Sequence, residues 1–325
     1  MYSNFKDFKK SITLFFNAYG LREVYMLLKY NKLSLRGPNV SPMLISIVDN
    51  KRQAKGLTDR FKGIVSVYAL AKATNVPFRC IYTHPIQLTD FLYPNEYNWL
   101  PEKAELSETI SGVRFKLLRK QHTIKRLLKV FPLTKQIRVY ANLDYLDEIN
   151  RRYGRQYRWG VLFKELFKPT EVLESCLQDH LNRIGSKKYV ACVFRFQALL
   201  GDFKEYHFQP LPEVERQRFI DRNLDALRQI TERSEVPVLV TSDSTTFLMQ
   251  ANRLPNVYII PGDVVHIDNT AGAGSAVYMK SFLDFLMLAR AQHIYSIGTG
   301  AMYKTDFPAY AAKVNDVPFE RILID

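Results

Sequence analysis

The second half of the chain alternates short apolar segments with amphipathic ones, and this alternation constrains the fold more than any other feature. The short segments are rich in β-branched residues and predict buried strands at 187–196, 236–243, 256–262 and 293–300. Between them, apolar residues at helical spacing predict helices at 213–233, 244–253 and 277–291. Strands that alternate with helices form a doubly wound parallel sheet, so we predict an α/β fold.

The first half shows a shorter version of the same pattern. A strand at 43–49, a helix at 56–75 that opens on a glycine, and a strand at 76–82 form one βαβ unit. A length of 325 residues suits two domains. We expect two α/β halves, residues 1–180 and 181–325, with a ligand at the carboxyl ends of the strands in the crevice between them.

Composition narrows the class of partner and the compartment. A net charge of +14 favours anionic partners without choosing among them. The three scattered thiols, Cys80, Cys176 and Cys192, argue against a disulfide framework or a zinc knuckle and suit a reducing compartment. The apolar run at 12–16 is too short for a secretory segment, and we interpret it as part of a short helix. We therefore expect a cytoplasmic protein.

Arg195 lies at the carboxyl end of the predicted strand at 187–196, just after Phe194, and is the first candidate for chemistry. A guanidinium at a strand end can bind a phosphate through two parallel hydrogen bonds, or it can pair with a neighbouring carboxylate. Spacing does not separate these two interpretations. Asp202 and Glu205 follow Arg195 closely enough for a carboxylate to share the same site.

Polar residues also lie at or after the carboxyl ends of the next two predicted strands. Ser242, Asp243 and Ser244 can cap the following helix, or Asp243 can accept hydrogen bonds from a guanine-type base. Farther on, His266 is either a general base or structural, and Ser275 is expected to cap the helix that follows a glycine-containing loop. No phosphate loop of the GxxxxGK[ST] type and no GxGxxG pattern occurs.

Two further groups complete the candidate donor site. After the strand at 293–300, the polar residues either cap a helix or face the crevice; they are Lys304, Thr305, Asp306 and Phe307. In the first half, Asp59 and Arg60 lie in the first turn of the predicted helix at 56–75. They would meet a sugar or a pyrophosphate from the opposite wall, or form a surface salt bridge.

Several segments in order resemble the fucosyltransferase superfamily that includes α1,2-, α1,6- and protein O-fucosyltransferases. They are GLTDRFKGIVSVYALAKA, LFKP at 166–169, VACVFRF, LVTSDS and HIYSIGTGAMYKTDFPAYAA. The resemblance implies a GT-B fold, in which two Rossmann-like doubly wound domains face a central cleft. It also implies an acceptor-side domain at 1–180 and a donor-binding domain at 181–325, with GDP-fucose as donor, no metal and no other cofactor, and inversion at the anomeric carbon.

The resemblance also implies roles for individual residues. Arg195 matches the family arginine that contacts the β-phosphate, and Asp243 falls where the family has an acidic residue near guanine. Ser275 falls near a phosphate-contacting serine, and the segment 305–307 matches a serine-rich turn. The sequence departs from the family at Val193 and Phe196, where a histidine and often a second arginine stand.

We therefore expect a glycosyltransferase that transfers fucose to a glycan acceptor, such as a bacterial-type surface polysaccharide or glycolipid. No DxD pattern occurs, so cationic side chains would take the place of a metal ion. Asp202 is the first candidate for the base that deprotonates the acceptor, and Glu205 is the second. A transferase that uses another nucleotide sugar, or a non-catalytic protein that binds sugar nucleotides or glycans, remains an alternative.

The basic stretch at 114–138 interleaves cations with apolar residues. It either lies on an anionic membrane, at the inner face, or forms a solvated surface helix whose apolar side packs on the core. Nucleic-acid binding is less favoured, because no recognised binding module occurs in the sequence.

Overall fold

A computed structural model of the protein describes residues 22–33, 40–49, 56–202, 209–262 and 274–324. The first described elements, in chain order, are α1 (Arg22–Tyr30), β1 (Leu44–Val48), α2 (Leu57–Thr74), β2 (Phe78–Tyr82), β3 (Leu92–Pro94), β4 (Val113–Leu118), α3 (Ile124–Leu128), β5 (Gln136–Ala141), α4 (Leu146–Tyr153) and α5 (Trp159–Leu166).

The later elements are β6 (Phe167–Pro169), α6 (Glu171–Arg183), β7 (Val190–Phe194), α7 (Glu213–Arg233), β8 (Val238–Ser242), α8 (Thr245–Ala251), β9 (Val257–Tyr258), α9 (Met279–Leu288), β10 (His293–Gly298), α10 (Phe307–Asn315) and β11 (Phe319–Leu323). Short 3₁₀ turns lie at Leu88–Asp90, Lys103–Glu105, Gln121–Thr123 and Ser275–Tyr278. No helix among these elements combines the length and the apolar character that a membrane crossing requires.

The chain divides into two compact units. The first unit contains residues 1–87 and 94–166, and the second contains 88–93 and 167–325. The chain therefore passes between the units three times. The boundary predicted at residues 180 and 181 differs from this division because α6 packs on α9 within the second unit.

The first unit contains a four-stranded sheet in the order β2-β1-β5-β4, and all of its strands are parallel. Every residue of β1 is buried, as expected for a parallel strand covered on both faces. On one side of the sheet, α1 packs on β4, and Met26 joins a core cluster with Ile45 and Phe115. Helix α2 packs on β1 and β5 and is buried through most of its length.

The second unit contains a five-stranded parallel sheet in the order β11-β10-β7-β8-β9. Its core includes Phe194, Phe196 and Phe247, whose rings pack against one another beside α7 and α8. The predicted α/β fold with parallel sheets is therefore confirmed. The strand predicted at 256–262 is shorter than expected and covers only β9, since Pro261 lacks an N–H group and Gly262 has a φ of +122°.

The segment 88–93 belongs to the second unit although it lies early in the sequence. The ring of Phe91 stacks on that of Phe282 in α9, with centroids 4.2 Å apart. The carbonyl oxygen of Phe91 accepts a hydrogen bond of 2.8 Å from the Thr170 N–H. Strands β3 and β6 pair beside these contacts as a two-stranded sheet.

The basic stretch at 114–138 is not one helix, so that part of the prediction is wrong. It forms β4 at the edge of the first sheet, then α3, then β5. In β4, Val113 and Phe115 are buried while Arg114 is exposed, which is the two-residue period of a strand. The apolar side of α3, Ile124 with Leu127 and Leu128, is buried, which agrees with the expectation that an apolar face packs on the core.

Gly63 allows α2 to approach β5 closely. A Cβ atom built on Gly63 would overlap the backbone carbonyl oxygen of Ala141, which directly ends β5. At an open helical position a change from glycine to alanine stabilises by about 1 kcal/mol, but overlap with backbone forces the two elements apart.

We expect Gly63→Ala to lower the free energy of unfolding by about 1–3 kcal/mol, because an overpacked contact outweighs the gain in helix propensity. Urea unfolding followed by circular dichroism measures the change. Gly300→Ala is a matched control, since no atom lies within 4 Å of a Cβ built there. A Gly63→Ala protein at least as stable as the parent would contradict the close contact.

Candidate active site at the carboxyl edge of the second sheet

The strand order of the second sheet reverses beside β7. From β7 the chain continues to β8 and β9, which lie on one side of β7 within the sheet. It then returns to β10 and β11, which lie on the other side of β7. In open parallel sheets, the connections diverge at such a reversal and leave a crevice at the carboxyl ends of the strands. The residues that follow β7, β8 and β10 are therefore the first candidates for ligand contact.

Arg195 is the first residue after β7 and pairs with Asp243, the first residue after β8. Its Nη1 atom lies 2.8 Å from Oδ2 of Asp243. The Arg195 side chain is 21% exposed and that of Asp243 only 4%. The carboxylate is therefore buried, while the guanidinium reaches solvent at the carboxyl edge of the sheet.

Asp243 also fixes the turn that carries Arg195. Its Oδ1 accepts a hydrogen bond of 2.7 Å from the Phe196 N–H, and its Oδ2 accepts one of 2.6 Å from the Gln197 N–H. Gln197 has a φ of +55°, a left-handed conformation that a residue with a side chain rarely adopts. The hydrogen bonds to Asp243 compensate for this unfavourable backbone geometry.

The buried position of Asp243 changes its proton affinity. Burial raises the pKa of Asp243 to about 6, although Arg195 and the amides of Phe196 and Gln197 lower it. Burial penalises the charged form, whereas a neighbouring cation and N–H donors favour it. Asp243 therefore remains largely ionised and paired with Arg195 at neutral pH.

A second set of contacts joins the same two segments. Oδ2 of Asp202 accepts hydrogen bonds from the Ser244 hydroxyl, at 2.7 Å, and from the Thr246 N–H, at 2.8 Å. The Ser244 hydroxyl in turn accepts from the Phe247 N–H, which makes it the N-cap of α8. Side chains of the protein therefore accept hydrogen bonds from the Thr246 and Phe247 N–H groups at the start of α8. For Ser244, the structure shows the helix cap that the sequence allowed.

Ser242 completes the cluster at the end of β8. Its hydroxyl accepts a hydrogen bond of 3.1 Å from the Ser244 N–H, and the side chain is buried. The structure thus brings together five of the predicted site residues, on the two segments that follow β7 and β8: Arg195, Asp202, Ser242, Asp243 and Ser244.

The predicted residues after β10 mainly begin and brace α10. The Thr305 hydroxyl oxygen accepts a hydrogen bond of 3.2 Å from the Phe307 N–H, and the ring of Phe307 packs edge-on against Phe285. Asp306 lies 3.6 Å from Arg321, and Lys304 is exposed. Lys304 extends into solvent and forms no hydrogen bond or ion pair with another residue that the structure describes.

The prediction that Ser275 caps the next helix is wrong. Gly274 occupies the N-cap position, no side chain caps the turn, and Ser275 is an exposed first residue of the 3₁₀ turn before α9. A glycine at the N-cap offers no side-chain oxygen to the first N–H groups of the turn. His266 and Glu205 lie outside the described residues, so their predicted roles stay predictions.

In the first unit, Asp59 and Arg60 lie in the first turn of α2, as predicted. Asp59 forms an ion pair of 2.6 Å with Lys62, one turn farther along the helix. Arg60 is only 2% exposed and donates to the Tyr82 hydroxyl, at 2.8 Å, and to the His84 carbonyl oxygen, at 2.6 Å. Arg60 therefore fastens α2 to the end of β2.

Sequence reasoning missed a buried ion pair in α9. Nζ of Lys280 lies 3.1 Å from Oδ1 of Asp284, and both side chains are nearly buried. Lys280 lies beside Gly262, where the chain leaves β9. Burial raises the pKa of Asp284, although Lys280 lowers it. Two opposite charges four residues apart in an otherwise apolar helix were the available signal.

A cavity of about 390 Å³ lies in the first unit, where the chain leaves β4 and β5. Its polar lining includes Asp144, Asp147, Glu148, Lys125 and Arg151. Within the described ranges, no three His, Cys, Asp or Glu side chains group closely enough to hold a metal ion.

Comparison with solved structures identifies the fold. NodZ alpha-1,6-fucosyltransferase soaked with GDP-fucose is 15% identical over 84% of this chain and 93% of that chain, with a TM-score of 0.55. Arabidopsis thaliana FUT1, as a mutant in complex with GDP, is 12% identical over 92% of this chain and 74% of that chain, with a TM-score of 0.57.

POFUT1 in complex with GDP-fucose gives a similar result. It is 10% identical over 89% of this chain and 98% of that chain, with a TM-score of 0.52. The sequence matches no protein-family model and no curated protein. The likeness therefore extends over most of the chain and shows a fold in common with these fucosyltransferases.

The pKa of Asp243 predicts a specific pH dependence of stability. Because folding raises this pKa from its ordinary value of 3.8 to about 6, the group's stabilising contribution is present below about pH 4 and is lost as the pH rises through about 6. Relative to Asp243→Asn, we expect the parent to lose about 3 kcal/mol of unfolding free energy between about pH 4 and 7.

Urea unfolding at a series of pH values measures this difference. Asp225→Asn is the control, because Asp225 is exposed and pairs with Arg228 on the surface of α7. A constant difference between the parent and Asp243→Asn over this pH range would contradict the raised pKa.

Proposed function

We propose that the protein is an inverting glycosyltransferase that transfers fucose from GDP-fucose to a hydroxyl group of a glycan acceptor, without a metal ion. The observation that carries the proposal is Arg195, held by a buried carboxylate at the reversal of strand order in the second sheet. The fold likeness supports it, because NodZ soaked with GDP-fucose and POFUT1 in complex with GDP-fucose have this fold.

The chemistry of the transfer requires a cation at the leaving group. The acceptor oxygen forms a bond to the anomeric carbon while the bond from that carbon to the β-phosphate oxygen breaks. Both electrons of the broken bond leave with GDP, so negative charge grows on the β-phosphate. A preorganised donor aimed at this charge typically contributes about 3–4 kcal/mol to catalysis.

Arg195 suits this role because its position is fixed before any ligand arrives. A guanidinium carries five N–H donors, and the contact with Asp243 is made through Nη1. The carboxylate and the amide contacts of Phe196 and Gln197 hold the turn rigid, which removes the cost of ordering the arginine during the reaction. In this proposal Asp243 orients Arg195. The resemblance also implies a second role for Asp243, as the acidic residue near guanine.

The acceptor hydroxyl must lose a proton to a base. We propose Asp202 for this role, with Glu205 as the second candidate. The hydrogen bonds from Ser244 and Thr246 engage Oδ2 of Asp202 and fix the carboxylate, and the side chain is exposed. Oδ1 is then the atom that would accept the proton.

A non-catalytic protein that binds sugar nucleotides is the second candidate. Val193 and Phe196, which stand where the resembling family has a histidine and often a second arginine, are 5% and 0% exposed. Phe196 packs against Phe247 and Phe219, so it belongs to the core. A site with fewer ligand-facing polar groups than the family favours a non-catalytic protein. The same difference also favours a transferase that uses another donor sugar.

A thermal-shift screen tests the donor. We expect GDP-fucose and GDP to raise the unfolding midpoint, because a ligand that binds only the native state stabilises it by mass action. At a concentration about 100-fold above Kd, the gain is about 2.7 kcal/mol. UDP-sugars should leave the midpoint unchanged. Stabilisation by UDP-sugars alone would overturn the choice of donor.

Removal of the guanidinium tests the role of Arg195. We expect Arg195→Ala to lower the rate of GDP release from GDP-fucose with acceptor by about 10²–10³-fold, while the fold survives. Arg253→Ala, which removes an exposed arginine beyond α8, is the control. GDP-fucose binding without GDP release in the parent would favour the non-catalytic alternative, and near-parental turnover of Arg195→Ala would refute the assigned role.

A further inference from the structure

The connection between β4 and β5, residues 119–135, concentrates exposed positive charge in one short segment of the first unit. From residue 109 to residue 143 the sequence contains no Asp or Glu, although it contains nine Lys and Arg residues. Within the connection, the side chains that are exposed and carry this charge are Arg119, Lys120, Lys125, Arg126 and Lys129. We refer to residues 119–135 as the basic connection.

Several cations elsewhere in the first unit form ion pairs with single carboxylates. Lys72 pairs with Glu165 at 2.6 Å, Arg79 with Glu105 at 2.7 Å, and Lys116 with Glu23 at 3.0 Å. By contrast, no carboxylate among the described residues forms an ion pair with Lys120, Arg126 or Lys129. Lys125 borders the cavity that also contains Asp144, Asp147 and Glu148, so its charge is partly balanced.

The orientation of α3 explains why these charges face solvent. Ile124, Leu127 and Leu128 are buried, which forces Lys125 and Arg126 to the outer side of the helix. The apolar face of this helix is therefore occupied by the protein's own core and is not available to a partner. A partner would meet the cations.

The basic connection also contains three partly exposed apolar residues. Val130, Phe131 and Leu133 lie in the loop between Lys129 and Lys135. Apolar side chains bordered by cations match the boundary between acidic headgroups and acyl chains. A nucleic acid would use the cations but would gain less from aliphatic side chains such as Val130 and Leu133.

We propose that the basic connection docks the protein on a membrane surface that contains anionic lipid. The partner's charge complements Lys120, Arg126 and Lys129, and Val130, Phe131 and Leu133 contact the headgroup boundary. The proposal does not rest on the transferase activity, since it uses only the charge and the exposure of the basic connection.

Vesicle flotation tests the docking, with vesicles of equal parts phosphatidylglycerol and phosphatidylcholine compared with pure phosphatidylcholine. We expect the protein to float only with the anionic vesicles. Each cation near an anionic surface contributes a factor of about five to partitioning. The triple variant Lys120→Gln, Arg126→Gln, Lys129→Gln should therefore partition about a hundredfold more weakly.

A second triple variant controls for the net charge of +14. It replaces Lys187, Lys188 and Arg222, which are exposed in the second unit, with glutamine and removes the same total charge. We expect it to float nearly as well as the parent. Should the first triple variant fail to fold, the single variant Arg126→Gln, with an expected loss of about fivefold, keeps the test decisive.

Three outcomes would overturn the proposal. The first is equal flotation with neutral and anionic vesicles, and the second is equal losses in the two triple variants. The third is weaker binding of the first triple variant to a single-stranded oligonucleotide with unchanged flotation, which would assign the surface to nucleic acid. The assay contains no nucleotide sugar, so its failure would leave the transferase proposal standing.

Discussion

The geometry of the candidate site depends on the carboxylate of Asp243. This carboxylate accepts hydrogen bonds from two backbone amides and forms an ion pair with one guanidinium. The amides belong to Phe196 and Gln197, which follow β7, whereas Asp243 itself follows β8. One buried side chain therefore ties together the ends of two neighbouring strands. Without these hydrogen bonds, nothing would offset the unfavourable left-handed conformation of Gln197. The turn at residues 196 and 197, which holds Arg195 in position, would then be less stable.

The ion pair of Arg195 is the interpretation that the structure shows, and it does not bury the arginine. Arg195 forms the architectural ion pair that its spacing allowed, and its side chain remains 21% exposed at the carboxyl edge. Asp202, Ser244 and Thr246 link the same two segments a second time. Rigid positioning of a cation is what electrostatic stabilisation of a leaving group requires. The ion pair therefore supports the proposed role of Arg195 instead of replacing it.

The sequence predicted those features that local patterns encode. Buried parallel strands are nearly continuous apolar runs, so the ends of β1, β7 and β8 were predicted to within three residues. The basic stretch misled because Leu117 and Leu118 interrupt the two-residue period of β4. The partners of Asp243 and Asp202 lie more than forty residues away in sequence and are brought near by strand pairing, which no local pattern encodes. For the same reason, the alternation of strands and helices in the sequence located the strand ends but did not predict which strand ends lie next to each other.

The segment 88–93 has a consequence for how the protein is made. On the ribosome, this segment is synthesised well before β6 and α9, to which it is joined through the Thr170 N–H and the ring of Phe282. A product of residues 167–325 alone would therefore lack one piece of the second unit, because residues 88–93 are encoded within the part of the message that specifies the first unit. A recombination that joined residues 167–325 to a different first unit would leave Phe282 without Phe91, its stacking partner.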